Sequence, residues 1–160
     1  MKTINIEIKM ASGRTIKAEL YPEVAPVTVE NFVNLCKSHF YDGLIFHRVS
    51  AGFMIQGGGD DINMRHHEAQ SIVGEFAANG YENHLKHTPG VLSMARTMVP
   101  DSASSQFFIM HQAAPHLDGQ YAAFGQVTEG MDVVNDIANV ATDMNDRPLG
   151  SVVIESIRVI

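Results

Sequence analysis

Residues 46–58 read Phe46-His47-Arg48-Val49-Ser50-Ala51-Gly52-Phe53-Met54-Ile55-Gln56-Gly57-Gly58. Two short apolar runs meet here, Leu44 to Val49 and Phe53 to Gln56, parted by a Ser-Ala-Gly break. Runs of this length bounded by glycine predict strands. Further runs of the same kind follow at Val91 to Met94, Phe107 to Met110, Ala122 to Val127 and Val152 to Ile160, most of them separated by Gly or Pro. Upstream, Thr3 to Lys9 sets Ile4, Ile6 and Ile8 on one face. Ala11-Ser12-Gly13-Arg14 then reads as a turn and Ile16 to Tyr21 as its hairpin partner. Many short strands punctuated by turns predict a barrel or a sandwich.

Two segments carry a helical period instead. From Pro26 to Ser38, Val29, Phe32, Val33 and Cys36 form one apolar stripe. Proline suits the first helical position, and Glu30 is placed in the first turn, where the helix dipole favours a negative charge. Cys36 on this stripe reads as a packed thiol, not a nucleophile. A second helix is predicted from Met131 to Asn139, with Val133, Val134, Ile137 and Ala138 at helical spacing. Asp60 to Gly90 is polar and weakly periodic, long for a structureless loop, and therefore functional or partly ordered.

The chain has 160 residues, a length that favours one domain over the whole of 1–160. A domain of this size buries roughly 70% of its unfolded surface, enough for a core without metal or disulfide. The net charge is −7 and no basic run is present, so nucleic acid is excluded as a partner. No apolar stretch approaches the ~20 residues of a membrane span. The alternating N-terminus lacks the continuous apolar core of a signal peptide. A single cysteine rules out an internal disulfide and points to the cytoplasm.

Gly57-Gly58-Gly59 is not followed by Gly-Lys-Ser/Thr, which sets aside a phosphate loop, and no G-x-S-x-G elbow is present. His66, His67, His84 and His87 fall in the long polar segment. They do not form a zinc pattern, because His67-Glu68 lacks the second His of H-E-x-x-H. The reading is solvated loop histidines, with no metal and no cofactor.

The opening stretch, F-H-R-V, two residues, G-F-M, one residue, Q-G-G, resembles the signature of the cyclophilin family. Further blocks in the family's order resemble it too: Gly90-Val91-Leu92-Ser93-Met94-Ala95-Arg96, Ser104-Ser105-Gln106-Phe107-Phe108-Ile109, and Leu117-Asp118-Gly119 followed by Phe124-Gly125-Gln126-Val127 and Glu129-Gly130-Met131. The similarity runs from first strand to last and is greatest to the small cytoplasmic bacterial members. It implies an eight-stranded antiparallel closed β-barrel capped by two α-helices. It also implies peptidyl-prolyl cis/trans isomerisation that assists protein folding.

That activity fits the residues. The X–Pro bond has a rotation barrier of ~18–20 kcal/mol, yet no covalent bond has to break. The catalyst must favour the twisted amide over both planar isomers. Arg48 matches the family's catalytic arginine, an always-charged rigid donor for the prolyl nitrogen. Phe53, Met54, Phe108 and Leu117 match its proline pocket, although spacing alone would read them as ordinary core. Phe53 and Met54 would face opposite sides of a strand unless Gly52 bends it. Gln56 and Gln106 match groove residues that hold Arg48 and bond the substrate backbone. Ala95, Arg96 and Thr97 match the segment whose backbone pairs with the substrate chain, with Arg96 where many members carry Asn.

Two more positions depart from the family pattern. His116 stands where many eukaryotic members carry Trp, and Tyr121 where they carry His. Tyr121 keeps an aromatic wall. His116 removes an indole, which implies weak binding of the cyclic peptide cyclosporin. His47 is read as structural, facing away from Arg48. The expected partners are proline-containing polypeptides, and the expected state is a monomer. The competing function is a proline-peptide binding or chaperone module with little turnover. Arg48 with Gln56 argues against it, since a pure binder needs no charge there.

Overall fold

The alternation of Ile6, Ile8 and Met10 against polar neighbours builds β1 (Ile4–Met10), and Gly13 closes the hairpin to β2 (Thr15–Leu20). After α1 (Pro26–Lys37) come β3 (Leu44–Ser50), β4 (Met54–Asp61), β5 (Val91–Met94), β6 (Phe107–Met110) and β7 (Ala123–Glu129), then α2 (Met131–Ala138) and β8 (Ile154–Val159). These elements belong to a computed structural model that describes residues 2–160.

The eight strands form one antiparallel sheet in the order β3-β4-β6-β5-β7-β2-β1-β8. Its two edges meet through the bridge Ile45↔Val153 and the Phe46 N–H to Val152 carbonyl bond of 3.0 Å. The barrel is closed there by a seam narrower than a full ladder, and closure removes free strand edges.

The barrel interior is filled. The Phe32 ring of α1 lies 5.1 Å from Tyr41, 5.3 Å from Phe107 and 5.2 Å from Phe124, within range of favourable aromatic pairing. The α1 stripe of Val29, Phe32, Val33 and Cys36 and the α2 stripe of Val133, Val134, Ile137 and Ala138 are buried in this same core. Burial pushes the Cys36 thiol up to about 12, in keeping with a packed, inert group.

Strands β5 and β6 are buried along their whole length, a pattern that requires cover on both faces. Phe107 and Ile109 point into the barrel core. Phe108 and Met110 join a second, outer cluster with Met54, Val91, Ala114, Leu117 and Ala123. This outer cluster is the foundation of the site described below.

Two expectations are corrected. Strand β4 runs through the glycines to Asp61, because close approach requires them. A Cβ on Gly59 would stand 2.6 Å from the Gln106 amide nitrogen, and one on Gly57 2.6 Å from the Ile45 carbonyl. Glu30 lies beyond the first turn of α1, which has no acidic residue of its own. The charge comes from far along the chain instead. Buried Glu75 accepts bonds from the Thr28 N–H (2.6 Å) and hydroxyl (2.7 Å), serving the unpaired donors of the helix start. Glu75 thereby pins the long segment after β4 to the barrel. Asn83 adds to this, donating to the carbonyls of Glu75 (3.0 Å) and Ala123 (2.9 Å).

Candidate active site

Cross-strand register brings the site together. Arg48 on β3 pairs with Gln56 on β4, Gln56 with Phe108 on β6, and Phe108 with Ser93 on β5. Partners in register point to the same face. The row Arg48, Gln56, Phe108, Ser93 therefore crosses four strands on the outside of the barrel.

A cavity of ≈ 140 Å³ opens over this row. Arg48 and Gln56 form one rim, Phe53, Met54, Phe108 and Leu117 the apolar floor, and Ala95, Arg96 and Tyr121 the far wall. Phe53 lies just before β4, where Gly52 takes a left-handed φ of +79°. That bend sets Phe53 and Met54 in one pocket, which plain strand alternation would forbid. The Phe53 carbonyl accepts the N–H groups of His111 (2.9 Å) and Gln112 (3.3 Å), which fixes the bend against the end of β6.

Among the described residues no carboxylate pairs with Arg48, and its side chain is exposed. The Gln56 amide does not bond Arg48. It donates to the Gln106 side-chain oxygen at 3.0 Å, because Gly59 leaves Gln106 room to lie across β4. Gln106 and Thr97 stand in an adjoining polar cavity that shares Gln56, Ala95 and Arg96 with the first. Thr97 is tied to Ser102, to whose hydroxyl its N–H donates at 2.9 Å. Among the described residues the Arg96 backbone N–H and carbonyl have no partner, so a short edge is left open beside the cavity. His116 is exposed at the rim, its ring 5.9 Å from that of Phe53, and does not line the cavity.

The structure adds residues that sequence reading missed. His87 is 1% exposed, which overturns its reading as a solvated loop histidine. Its ring stacks on Phe108 at 5.9 Å and 19°, behind the cavity floor. Nδ1 meets Asp118 at 3.1 Å and Nε2 meets the buried Ser93 hydroxyl at 2.8 Å. Burial holds the His87 imidazole below its usual range, against the opposing pull of Asp118. Asp118 resists its own desolvation and is lowered by the His87 N–H and ring. A neutral His87 donates to Asp118 and accepts from Ser93, so both ring nitrogens and the buried Ser93 hydroxyl are satisfied. Ser93 is wholly buried, and no substrate carbonyl could reach it.

The remaining histidines divide. His66 is exposed and bridges Asp60 (3.0 Å) and Glu68 (2.7 Å), whose hydrogen bonds raise it. His67 contacts Asp61 at 2.9 Å. His47 is half-buried, and burial lowers it. Its Nδ1 has no partner among the described residues. No group of three or more potential metal ligands is assembled among the described residues.

Such an arrangement can grip a small apolar ring, hold an extended backbone at the Arg96 edge, and present a fixed cation to the bond between them. It offers no exposed nucleophile in the pocket and nothing to activate one.

The family described as cyclophilin type peptidyl-prolyl cis-trans isomerase/CLD matches residues 3–159. A peptidyl-prolyl cis-trans isomerase of Acinetobacter baylyi is 46% identical over 142 residues, covering 86% of this chain and 73% of the relative. Peptidyl-prolyl cis-trans isomerase B of Escherichia coli is 41% identical over 156 residues, covering 90% and 93%. The crystal structure of a cyclophilin type isomerase from Cryptosporidium parvum superposes with a TM-score of 0.84 at 30% identity, covering 99% of this chain and 98% of that one. The same Cryptosporidium protein was also crystallised in the presence of the dipeptide Ala-Pro, with a TM-score of 0.82.

Proposed function

The chain belongs to the cyclophilin-type peptidyl-prolyl cis/trans isomerase family, and on that premise we propose that the outer-face cavity is where it turns X–Pro bonds. The observation that carries this reading is the register row. It stands an Arg48 guanidinium, without a carboxylate partner among the described residues, beside an apolar floor of Phe53, Met54, Phe108 and Leu117.

The proline ring enters the floor and becomes a fixed axle. The substrate backbone lies against the open N–H and carbonyl of Arg96, as in strand addition. As the bond twists, amide resonance is lost and the prolyl nitrogen gains a usable lone pair. Arg48 donates to that nitrogen, an interaction the planar isomers cannot match. It therefore stabilises the transition state selectively. Gln56, held by Gln106, lines the same rim and bonds the substrate backbone. No proton is transferred and no covalent bond breaks, so the chemistry asks for no cofactor. The Ala-Pro dipeptide used with the Cryptosporidium relative is the minimal ligand this cavity would take.

The same reading takes residues 1–160 as one domain, monomeric and cytoplasmic, with proline-containing chains as clients. For cyclosporin it expects weak binding, because exposed His116 offers a smaller apolar face at the rim than an indole would. Exchange of a short Ala-Pro peptide, followed by NMR, tests the site. Turnover that depends on Arg48 supports it, whereas peptide binding without turnover would favour the binding-module reading.

A further inference from the structure

Arg96 follows β5 and leaves the strand ladder, yet its half-buried side chain is held by two carbonyls and two aromatic rings. Nε and Nη2 donate to the Gln120 carbonyl at 3.0 and 2.6 Å, and Nη1 donates to the Thr97 carbonyl at 2.9 Å. The guanidinium carbon lies 4.6 Å from the Phe76 ring centroid and 4.8 Å from that of Tyr121. Both separations fall within the range of cation–π attraction. Among the described residues no carboxylate pairs with it, and no other donor reaches the Gln120 carbonyl.

The two rings belong to different bodies of the fold. Phe76 is part of the barrel core, and Tyr121 packs on the outer cluster under the cavity. Apart from Arg96, the aromatic contact of Tyr121 is an edge on Phe108 at 5.7 Å. Three loops therefore meet at one planar cation: the segment after β5, the segment through Phe76, and the turn that carries Tyr121.

We propose that Arg96 is a positioning residue for X–Pro isomerisation. Its side chain locks the Tyr121 wall to the backbone edge that receives the substrate. The role needs a guanidinium. A planar group can stack between two rings while its edge donors reach two carbonyls, and an ammonium cannot do both. The Arg96 guanidinium is committed to the Gln120 and Thr97 carbonyls and does not donate to the twisting bond, so it serves planar and twisted states alike. Its removal raises KM and leaves kcat nearly unchanged. This inference rests on the outer-face cavity being the isomerase site.

Kinetics of Arg96→Met, Arg96→Lys, Tyr121→Leu and the Arg96→Met/Tyr121→Leu double variant test it, with Arg48→Ala as the reference for the site. Arg96→Met is expected to raise KM about tenfold with kcat within about twofold. Arg96→Lys should recover little of that loss. Tyr121→Leu should cost much less in the Arg96→Met background than in the wild type, because Arg96 acts through that ring. An unchanged KM in Arg96→Met, full rescue by Lys, or additive effects with Tyr121 would each overturn the proposal. So would a fall in Tm of more than about 10 °C in Arg96→Met, which would make the residue a general brace of the fold. The two readings fail differently. Unchanged turnover in Arg48→Ala sinks the site itself, whereas an inactive Arg48→Ala beside a normal Arg96→Met sinks only the lock.

Discussion

Replacing Arg48 with alanine separates catalysis from folding. The side chain is exposed and makes no ion pair among the described residues, so its loss leaves no buried partner unsatisfied. Surface changes of this kind alter stability by no more than about 0.5 kcal/mol, which for a chain of this length is about 1–2 °C in Tm. Turnover should respond on another scale. A preorganised donor aimed at charge that develops only in the transition state is worth about 2.7–4 kcal/mol, or roughly 10²–10³ in kcat. Peptide affinity should change little, because the ring contacts lie on Phe53, Met54 and Phe108. Arg48→Lys should recover only part of the rate, since a point charge lacks the rigid fork. Isomer exchange of a short X–Pro peptide by NMR gives kcat and KM, and a thermal melt gives stability. Exchange within about threefold of wild type in a folded Arg48→Ala chain would refute the assignment of the donor.

Phe108→Ala should weaken X–Pro peptide binding and cost about 3–5 kcal/mol of stability, since its ring is 4% exposed; a stability loss with unchanged affinity in calorimetry would return the ring to a purely structural role. His116→Trp should strengthen cyclosporin binding while peptide exchange changes little, and equal drug affinities by titration calorimetry would show that position 116 is out of contact. The buried His87, held low by desolvation, takes up its proton after the unfolded chain does. Stability is therefore complete above about pH 6.5 and declines as pH falls below it, until the folded imidazole is itself protonated. Urea midpoints at about pH 7.5 and 5.5 should show a smaller difference in His87→Gln than in wild type. Half-buried His47 has the same sign and exposed His66, raised by Asp60 and Glu68, the opposite one, so the test is the change in slope on substitution, and an unchanged slope would show that His87 does not drive it.

The strands were legible because most of the apolar runs are short and set apart by Gly or Pro. β5 and β6 lie where the runs at Val91 and Phe107 predict them. The continuous burial of those two strands also had a trace in sequence, since neither alternates with polar residues as a one-sided strand would. What could not be read were contacts between distant segments. Local spacing puts Glu30 near the helix dipole, but the acid that serves α1 is Glu75, set there by a long loop. His87 looked like its neighbours in a polar segment. Its burial depends on Asp118, Ser93 and Phe108, separated from it by 31, 6 and 21 positions. Arg96 was visible as a departure from the family pattern, yet the rings that hold it come from two other loops. Motif resemblance identifies Arg48, Phe53, Met54 and Gln56; register explains why Arg48, Gln56 and Phe108 share one cavity, and the Gly52 bend why Phe53 and Met54 do.

The location of the cavity follows from how the interior is filled. A barrel of this strand number has an interior that is either filled by its own side chains or holds one small ligand, and here Phe32, Tyr41, Phe107 and Phe124 fill it. A site for an extended polypeptide therefore has to lie on the outer face, where both ends of the substrate can run on past the cavity. An outer face costs the catalyst the shielding of a deep pocket. That loss is tolerable for bond rotation, which produces no reactive intermediate for water to intercept. What rotation does require is that the axle and the donor hold still relative to each other. Here Arg48 and Phe108 stand on β3 and β6, joined through β4 by paired strands, and His87 backs the ring from behind. Rigidity of the barrel wall supplies what burial would otherwise provide.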